Sequence, residues 1–187
     1  ARIADAGARV HAFEPEPDNL AILRRVLRWE SCGQVTVVPA AVGEREGRVQ
    51  LQLNPAHHGD HRVAAGQAEA GRCIDVPLVS IDEYMEGQEP SRKVCFLKVD
   101  VQGYEFAVCR GAERTLAANP ECSLVLEYTP DALREFDAEP EQLLHWLTGG
   151  GYNVYEVRQD GQLAPGVPKT FGARGYADLL FTRRSLG

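Results

Sequence analysis

Several things are scarce in this chain, and each scarcity closes off a class of function. No apolar run approaches the roughly 20 residues that a membrane-spanning helix needs, and no leader peptide is visible. The expectation is a cytoplasmic protein with no membrane partner. Positive charge is in the minority: 20 Lys and Arg stand against 27 Asp and Glu, for a net charge of −7. That balance argues against a general nucleic-acid or anionic-lipid surface, while leaving room for a local basic patch. The cysteines number five, an odd count without any C-x-x-C pair. Reduced thiols used mainly for packing are expected, with no disulfide framework and no metal site. Cys95 and Cys109 read as buried. There is no initiating Met, no internal repeat and no low-complexity tract.

What is present is ordinary globular material. The 187 residues are 44% apolar and 25% charged, enough for one domain over 1–187 with a sizeable core. The organising stretch is Val94 to Glu105, VCFLKVDVQGYE. Its apolar run suits a strand covered by helices on both faces. Asp100 falls at the carboxyl end, the rim where open α/β sheets bind ligands. Lys98 and Asp100, two apart, leave the same face. From Tyr104 the apolar residues Ala107, Val108, Gly111, Ala112, Thr115 and Leu116 repeat with helical spacing up to Pro120.

The remaining elements follow in order. Ala1 to Ala6 read as the tail of a helix closed by Gly7. Arg9 to Phe13 read as a short strand ending on Glu14-Pro15. A helix opens at Pro17-Asp18, with Asp18 or Asn19 near its cap, and carries Leu20, Leu23, Val26, Leu27 and Trp29 as an apolar stripe. Val35 to Pro39 is a buried strand, and Val49, Leu51 and Leu53 mark a half-exposed one. Residues 54–72 read as a loop long enough to serve as a lid or substrate loop. Asp75 to Leu78 is a strand, and Ser80 caps a short helix with Asp82 and Glu83 in its acid-rich first turn. Ser123 to Glu127 is a strand ending on an acid. Short helices at Asp131 and Pro140 precede Gly149-Gly150-Gly151. Tyr152 to Val157 and Tyr176 to Thr182 are the last strands, read as antiparallel.

Three strand ends therefore carry acids: Glu14, Asp100 and Glu127. Glu14, following a helix and strand, matches the acid that holds ribose hydroxyls in a nucleotide-binding βαβ unit. The small Ala40 and Ala41 at the next strand end would let an adenine ring lie against the backbone. A carboxylate rim suits a ribose, an amino group and a sulfonium better than a pyrophosphate. Asp100 faces a bound ligand or caps the following helix. Lys98, in a buried strand, needs a partner, and Glu127 is the candidate; it reads as a structural ion pair or as a catalytic base. His61 is the best titratable candidate for a general base, since its ordinary pKa lies near neutrality. Asp60 and Arg62 beside it would face the substrate, as would Glu127.

The run from Leu97 to Glu105, LKVDVQGYE, closely resembles the signature of the FkbM family of S-adenosylmethionine-dependent methyltransferases. Val10 to Asn19, VHAFEPEPDN, resembles the family's second motif, and the two stand in the right order. The likeness extends over residues 9–128. It implies a Rossmann-like class I methyltransferase sheet, mostly parallel with antiparallel last strands. It implies S-adenosylmethionine as cofactor, held by Glu14, Pro15, Ala40, Ala41 and Asp100, and a small-molecule hydroxyl as methyl acceptor. The family's first strand and glycine-rich cofactor loop have no counterpart here. The chain reads as incomplete at its N-terminus and is expected to bind cofactor poorly by itself. The alternatives are a methyltransferase-like binding module without activity and a nicotinamide-dependent oxidoreductase, which Glu14 alone would also serve.

Overall fold

The computed structural model describes residues 7–30, 33–54, 61–64, 73–88, 93–172 and 175–186. The helix-tail reading of Ala1 to Ala6, like the placement of Cys32 and Asp60, lies outside these residues. The fold is mixed α/β, with three sheets among the described residues.

The first sheet pairs β1 (Val10–Phe13) with β2 (Val35–Val38) in parallel through α1 (Pro17–Trp29). Proline at the first helical position has its φ preset and needs no partner for an N–H, so the cap falls immediately before it. Glu16 is that cap: its carboxylate accepts from the Asn19 N–H at 2.6 Å. Asp18 and Asn19 stand near that cap, in the first turn, as expected. The apolar stripe of α1 is only half covered, and Ile22, Val26 and Trp29 are exposed.

The second sheet has the order β3 (Ala41–Val42), β6 (Cys73–Val79), β4 (Gly47–Gln52), β5 (Arg62–Val63). It has a small core of its own, Ala41, Leu51, Val76 and Leu78. The two-residue β5 lies inside the stretch that reads as loop. It forms because Leu51 and Gln52 on β4 offer it a backbone edge.

The third sheet runs β10 (Leu163–Pro165), β9 (Asn153–Val157), β11 (Ala177–Thr182), β8 (Ser123–Tyr128), β7 (Phe96–Val99). The expected antiparallel last strands are there. The expected mostly parallel sheet is not: among the described residues only β1–β2, β3–β6 and β7–β8 pair in parallel, three of eight strand pairings. The core lies against this sheet. Leu124, Leu126, Leu143, Leu147, Leu179 and Phe181 have no exposed surface.

Two further expectations are corrected here. β7 is not a strand covered on both faces: among the described residues it stands at the edge of its sheet, paired with β8, and β1 pairs in another sheet. Phe96, Lys98 and the preceding Cys95 are accordingly exposed, while Cys109 is buried as expected. The single helix expected after the organising strand is two, α3 (Glu105–Arg110) and α4 (Glu113–Ala118). The Gly111 carbonyl leaves the helical ladder to accept from the Asp82 N–H of α2 (Ile81–Glu86) at 2.8 Å. The Asp82 carboxylate in turn accepts from the Arg114 and Thr115 N–H groups at 3.0 and 2.7 Å, capping α4 from a neighbouring helix. Ser80 caps α2 as expected, accepting from the Glu83 N–H at 3.1 Å. Two helices, α5 (Pro130–Arg134) and α6 (Pro140–Gly149), complete the layer.

Candidate active site

The chain leaves β7 at Val99 and turns sharply before α3. Gln102 has φ 54° and Gly103 φ 102°, both left-handed. A Cβ on Gly103 would lie 2.5 Å from the Ala132 carbonyl oxygen, so the turn needs glycine for space as well as conformation. The Gln102 side-chain amide donates to Asp100 Oδ1 at 3.2 Å and to Glu127 Oε1 at 3.0 Å. Two strand-end acids are thus tied by one amide. Lys98 Nζ donates to Asp100 Oδ2 at 2.7 Å. Lys98 and Asp100 do share a face, but the expected Lys98–Glu127 ion pair is corrected. Because β7 is an edge, Lys98 is solvated and takes the nearer acid; an exposed pair of this kind adds about 0–1 kcal/mol. Asp100 does not cap α3 either, since Tyr104 holds the cap position without a side-chain bond.

Glu127 sits opposite Asp178 on β11. Partial burial raises its pKa, the charges of Asp100 and Asp178 add to the rise, and the Gln102 bond and Lys98 oppose it. Glu105, the first residue of α3, is 1% exposed. Its Oε1 accepts from the Val101 N–H at 3.2 Å and the Gly103 N–H at 3.1 Å. Its Oε2 is buried with no hydrogen-bond partner.

A second group forms at the end of β1. Glu14 is half-buried and its Oε1 accepts from the Glu16 N–H at 2.9 Å. Burial raises its pKa, and the Glu16 N–H and the nearby His61 charge work against the rise. Pro15 follows, half-buried; Ala40 is buried between β2 and β3, and Ala41 is buried as the first residue of β3. His61 Nδ1 accepts from the Asn54 N–H at 2.9 Å. In that hydrogen bond Nδ1 is the acceptor, as in the neutral tautomer with its proton on Nε2. Arg62 pairs with Glu135 at 2.9 Å beyond the end of α5, so its charge is already engaged by the protein.

Between α3, the turn at Glu44 and the α5–α6 connection lies a cavity of about 210 Å³. Gly103, Tyr104, Phe106, Arg110, Phe136 and Asp137 line it. Tyr104 and Phe136 meet edge to face at 5.2 Å, and Arg110 is neutralised by Glu44 at 2.8 Å. Sequence reasoning missed Gln102, Glu105 and this cavity. One signal was available for Glu105: it lies three and four residues before Val108 and Cys109, on the face that helical spacing buries.

Among the described residues no group of three His, Cys, Asp or Glu side chains is placed to hold a metal ion. No described helix is long and apolar enough to cross a membrane. The fold is similar to the crystal structure of methyltransferase FkbM from Methylobacillus flagellatus KT, with a TM-score of 0.56 and 19% identity. The match covers 92% of this chain and 36% of that one, so the present chain spans about a third of that relative's length. No curated protein matches the chain. The model of the methyltransferase FkbM domain, however, matches residues 1–154 of the 187, and the chain belongs to that family.

Proposed function

We propose that this protein transfers a methyl group from S-adenosylmethionine to a hydroxyl oxygen of a sugar or another small metabolite. The observation that carries this reading is the Gln102 amide, which ties the strand-end acids Asp100 and Glu127 together. An acid-rich rim attracts a cation and repels a pyrophosphate. It therefore supports a sulfonium cofactor with a free amino group over a nicotinamide dinucleotide, and the family match gives the latter no support.

The donor set fits that cofactor. Glu14 would hold ribose hydroxyls; among the described residues its Oε1 takes the Glu16 N–H, and Oε2 would take a ligand hydroxyl. Pro15, Ala40 and Ala41 would flank the adenine, and Asp100 would take the amino group or the methyl end. When bound, S-adenosylmethionine supplies an electrophilic methyl carbon. The chain itself aligns the acceptor hydroxyl and removes its proton. Glu127 suits the removal, because burial and its acidic neighbours raise its proton affinity. Lys98 orients Asp100 from the solvent side. His61 is a second candidate to take that proton, and the cavity beside Gly103 offers acceptor room for one small ring. The reaction is proposed to run in the cytoplasm, where buried thiols such as Cys109 and Cys122 persist reduced.

A second reading, a methyltransferase-like binding module without turnover, draws on one observation. The acids fall on different sheets, Glu14 after the first and Asp100 with Glu127 on the third. Calorimetry with S-adenosylmethionine, followed by incubation of the protein with methyl-labelled cofactor and a panel of sugars and hydroxylated metabolites, separates the readings. Binding with label transfer supports the enzyme. Binding without transfer to any acceptor supports the module.

A further inference from the structure

Glu105 has no part in the chemistry above, yet it is the most completely buried acid described. It precedes the buried Val108 and Cys109 by three and four residues, so α3 turns it inward. Both N–H groups that its Oε1 accepts, from Val101 and Gly103, flank Gln102. Gln102 itself stands at φ 54°, a conformation uncommon for residues other than glycine, asparagine and aspartate. Such a backbone persists where its surroundings over-determine it, and here the carboxyl of Glu105 clamps it on both sides. Asp100 and Glu127 depend on the result, since the Gln102 amide reaches both only from this turn.

We infer that Glu105 is a positioning residue, whose buried carboxyl fixes the left-handed turn at Gln102 so that its amide ties Asp100 to Glu127. The functional meaning rests on the proposed reading of that rim; the linkage from Glu105 to Glu127 does not. The two oxygens of Glu105 are unlike. Oε1 takes two N–H groups and Oε2 takes none. A carboxylic acid protonated on Oε2 matches this asymmetry better than a carboxylate, whose Oε2 charge would be buried without a donor. In accord with it, burial pushes the group up to about 7, with the Glu127 charge from β8 adding and the backbone N–H groups opposing. Cys109, on the same helix, is the other titratable group facing it.

The test reads Glu127 directly. Its side-chain carboxyl carbon is followed by NMR through a pH titration of the ligand-free protein. The groups around it are Asp100, Gln102, Asp178, Lys98 and Glu105. Glu105→Ala removes the clamp and frees Gln102, so the Glu127 midpoint rises by at least half a pH unit. Gln102→Ala raises it alike, and the double variant adds nothing further. Glu105→Gln keeps the carbonyl acceptor, holds the wild-type midpoint, and abolishes the second inflection near pH 7 that ionisation of Glu105 imprints on the wild-type curve. If Glu105→Ala does not fold, that inflection decides: its persistence in Glu105→Gln overturns the inference. A Glu127 midpoint unmoved by Glu105→Ala, or moved equally by Glu105→Gln, overturns it as well. The measurement needs neither cofactor nor acceptor, so its failure is distinct from a failure of methyl transfer.

Discussion

The five-stranded sheet and the β1–α1–β2 unit each contribute acids to the candidate site, but they are built unlike one another. The sheet carries four large side chains with no exposed surface, Leu124, Leu126, Leu179 and Phe181, and α6 adds Leu143 and Leu147 against it. In α1 no residue is buried, and Trp29 is 86% exposed. Asp100 and Glu127 therefore extend from a packed body. Glu14 is placed by local backbone bonds, from its own N–H to the Val38 carbonyl and from the Glu16 N–H to its Oε1. The difference separates two kinds of dependence. Changes to the core should disturb Asp100 and Glu127 through stability, whereas Glu14 should answer almost wholly through binding.

The sharpest contrast comes from the core. Leu126→Ala should cost about 2–5 kcal/mol of stability, the range for truncating a fully buried leucine, measured by urea unfolding. A loss as small as that of a surface change would show that the sheet packs no better than α1. The next effect is pH-dependent and also belongs to the packed half. The unfolded chain releases the Glu105 proton near 4.5, while the folded protein keeps it to about 7. The stabilisation from this group is complete below pH 4.5 and fades as pH rises through 7. Stability should fall by about 1.4 kcal/mol per pH unit across that window, to a total of about 3 kcal/mol. Subtracting the same curve for Glu105→Gln should isolate the slope, and identical curves for the two proteins would exclude it.

On the lightly packed side, Glu14→Ala should weaken S-adenosylmethionine binding by about 1–3 kcal/mol, the loss expected for a hydrogen bond to a charged group, while leaving the unfolding midpoint nearly in place. Calorimetry beside urea melts checks both halves of that statement, and a variant that loses stability but keeps affinity would reverse the comparison. The smallest effect is expected at Trp29. Trp29→Ala should change stability by no more than about 0.5 kcal/mol. A larger loss would mean that α1 is covered by something in solution.

Strand-end acids were legible in the sequence because an apolar run followed by Asp or Glu is a local pattern. Glu14 and Asp100 follow their strands as that pattern put them, and Glu127 is the last residue but one of β8. Pairing was less legible. Phe96, Leu97 and Val99 read the same whether a strand is doubly covered or at an edge. The better hint was Lys98, since a lysine within a strand is a common edge device. The break between α3 and α4 was hidden because its causes are distant in sequence: the Asp82 N–H and carboxylate, and the backbone at Gly43. The clamp by Glu105 was hidden for a different reason. A first-turn acid is ordinarily read as a surface charge favoured by the helix dipole, and only the phase of the buried face says otherwise.

The contact between Gly43 and Gly111 also bears on how the sequence can vary. A methyl group on Gly43 would meet side chains, Tyr104 Cε1 at 2.9 Å and Leu78 Cδ1 at 3.1 Å. Smaller residues at 104 or 78 would make room for it, so position 43 can drift in company with them. A methyl group on Gly111 would meet the carbonyl oxygen of residue 43 at 2.0 Å, an atom that every amino acid carries. No substitution elsewhere removes that obstacle. Among relatives that share this junction, position 111 should therefore stay glycine while its neighbour across the contact is free to covary with the aromatic beside it.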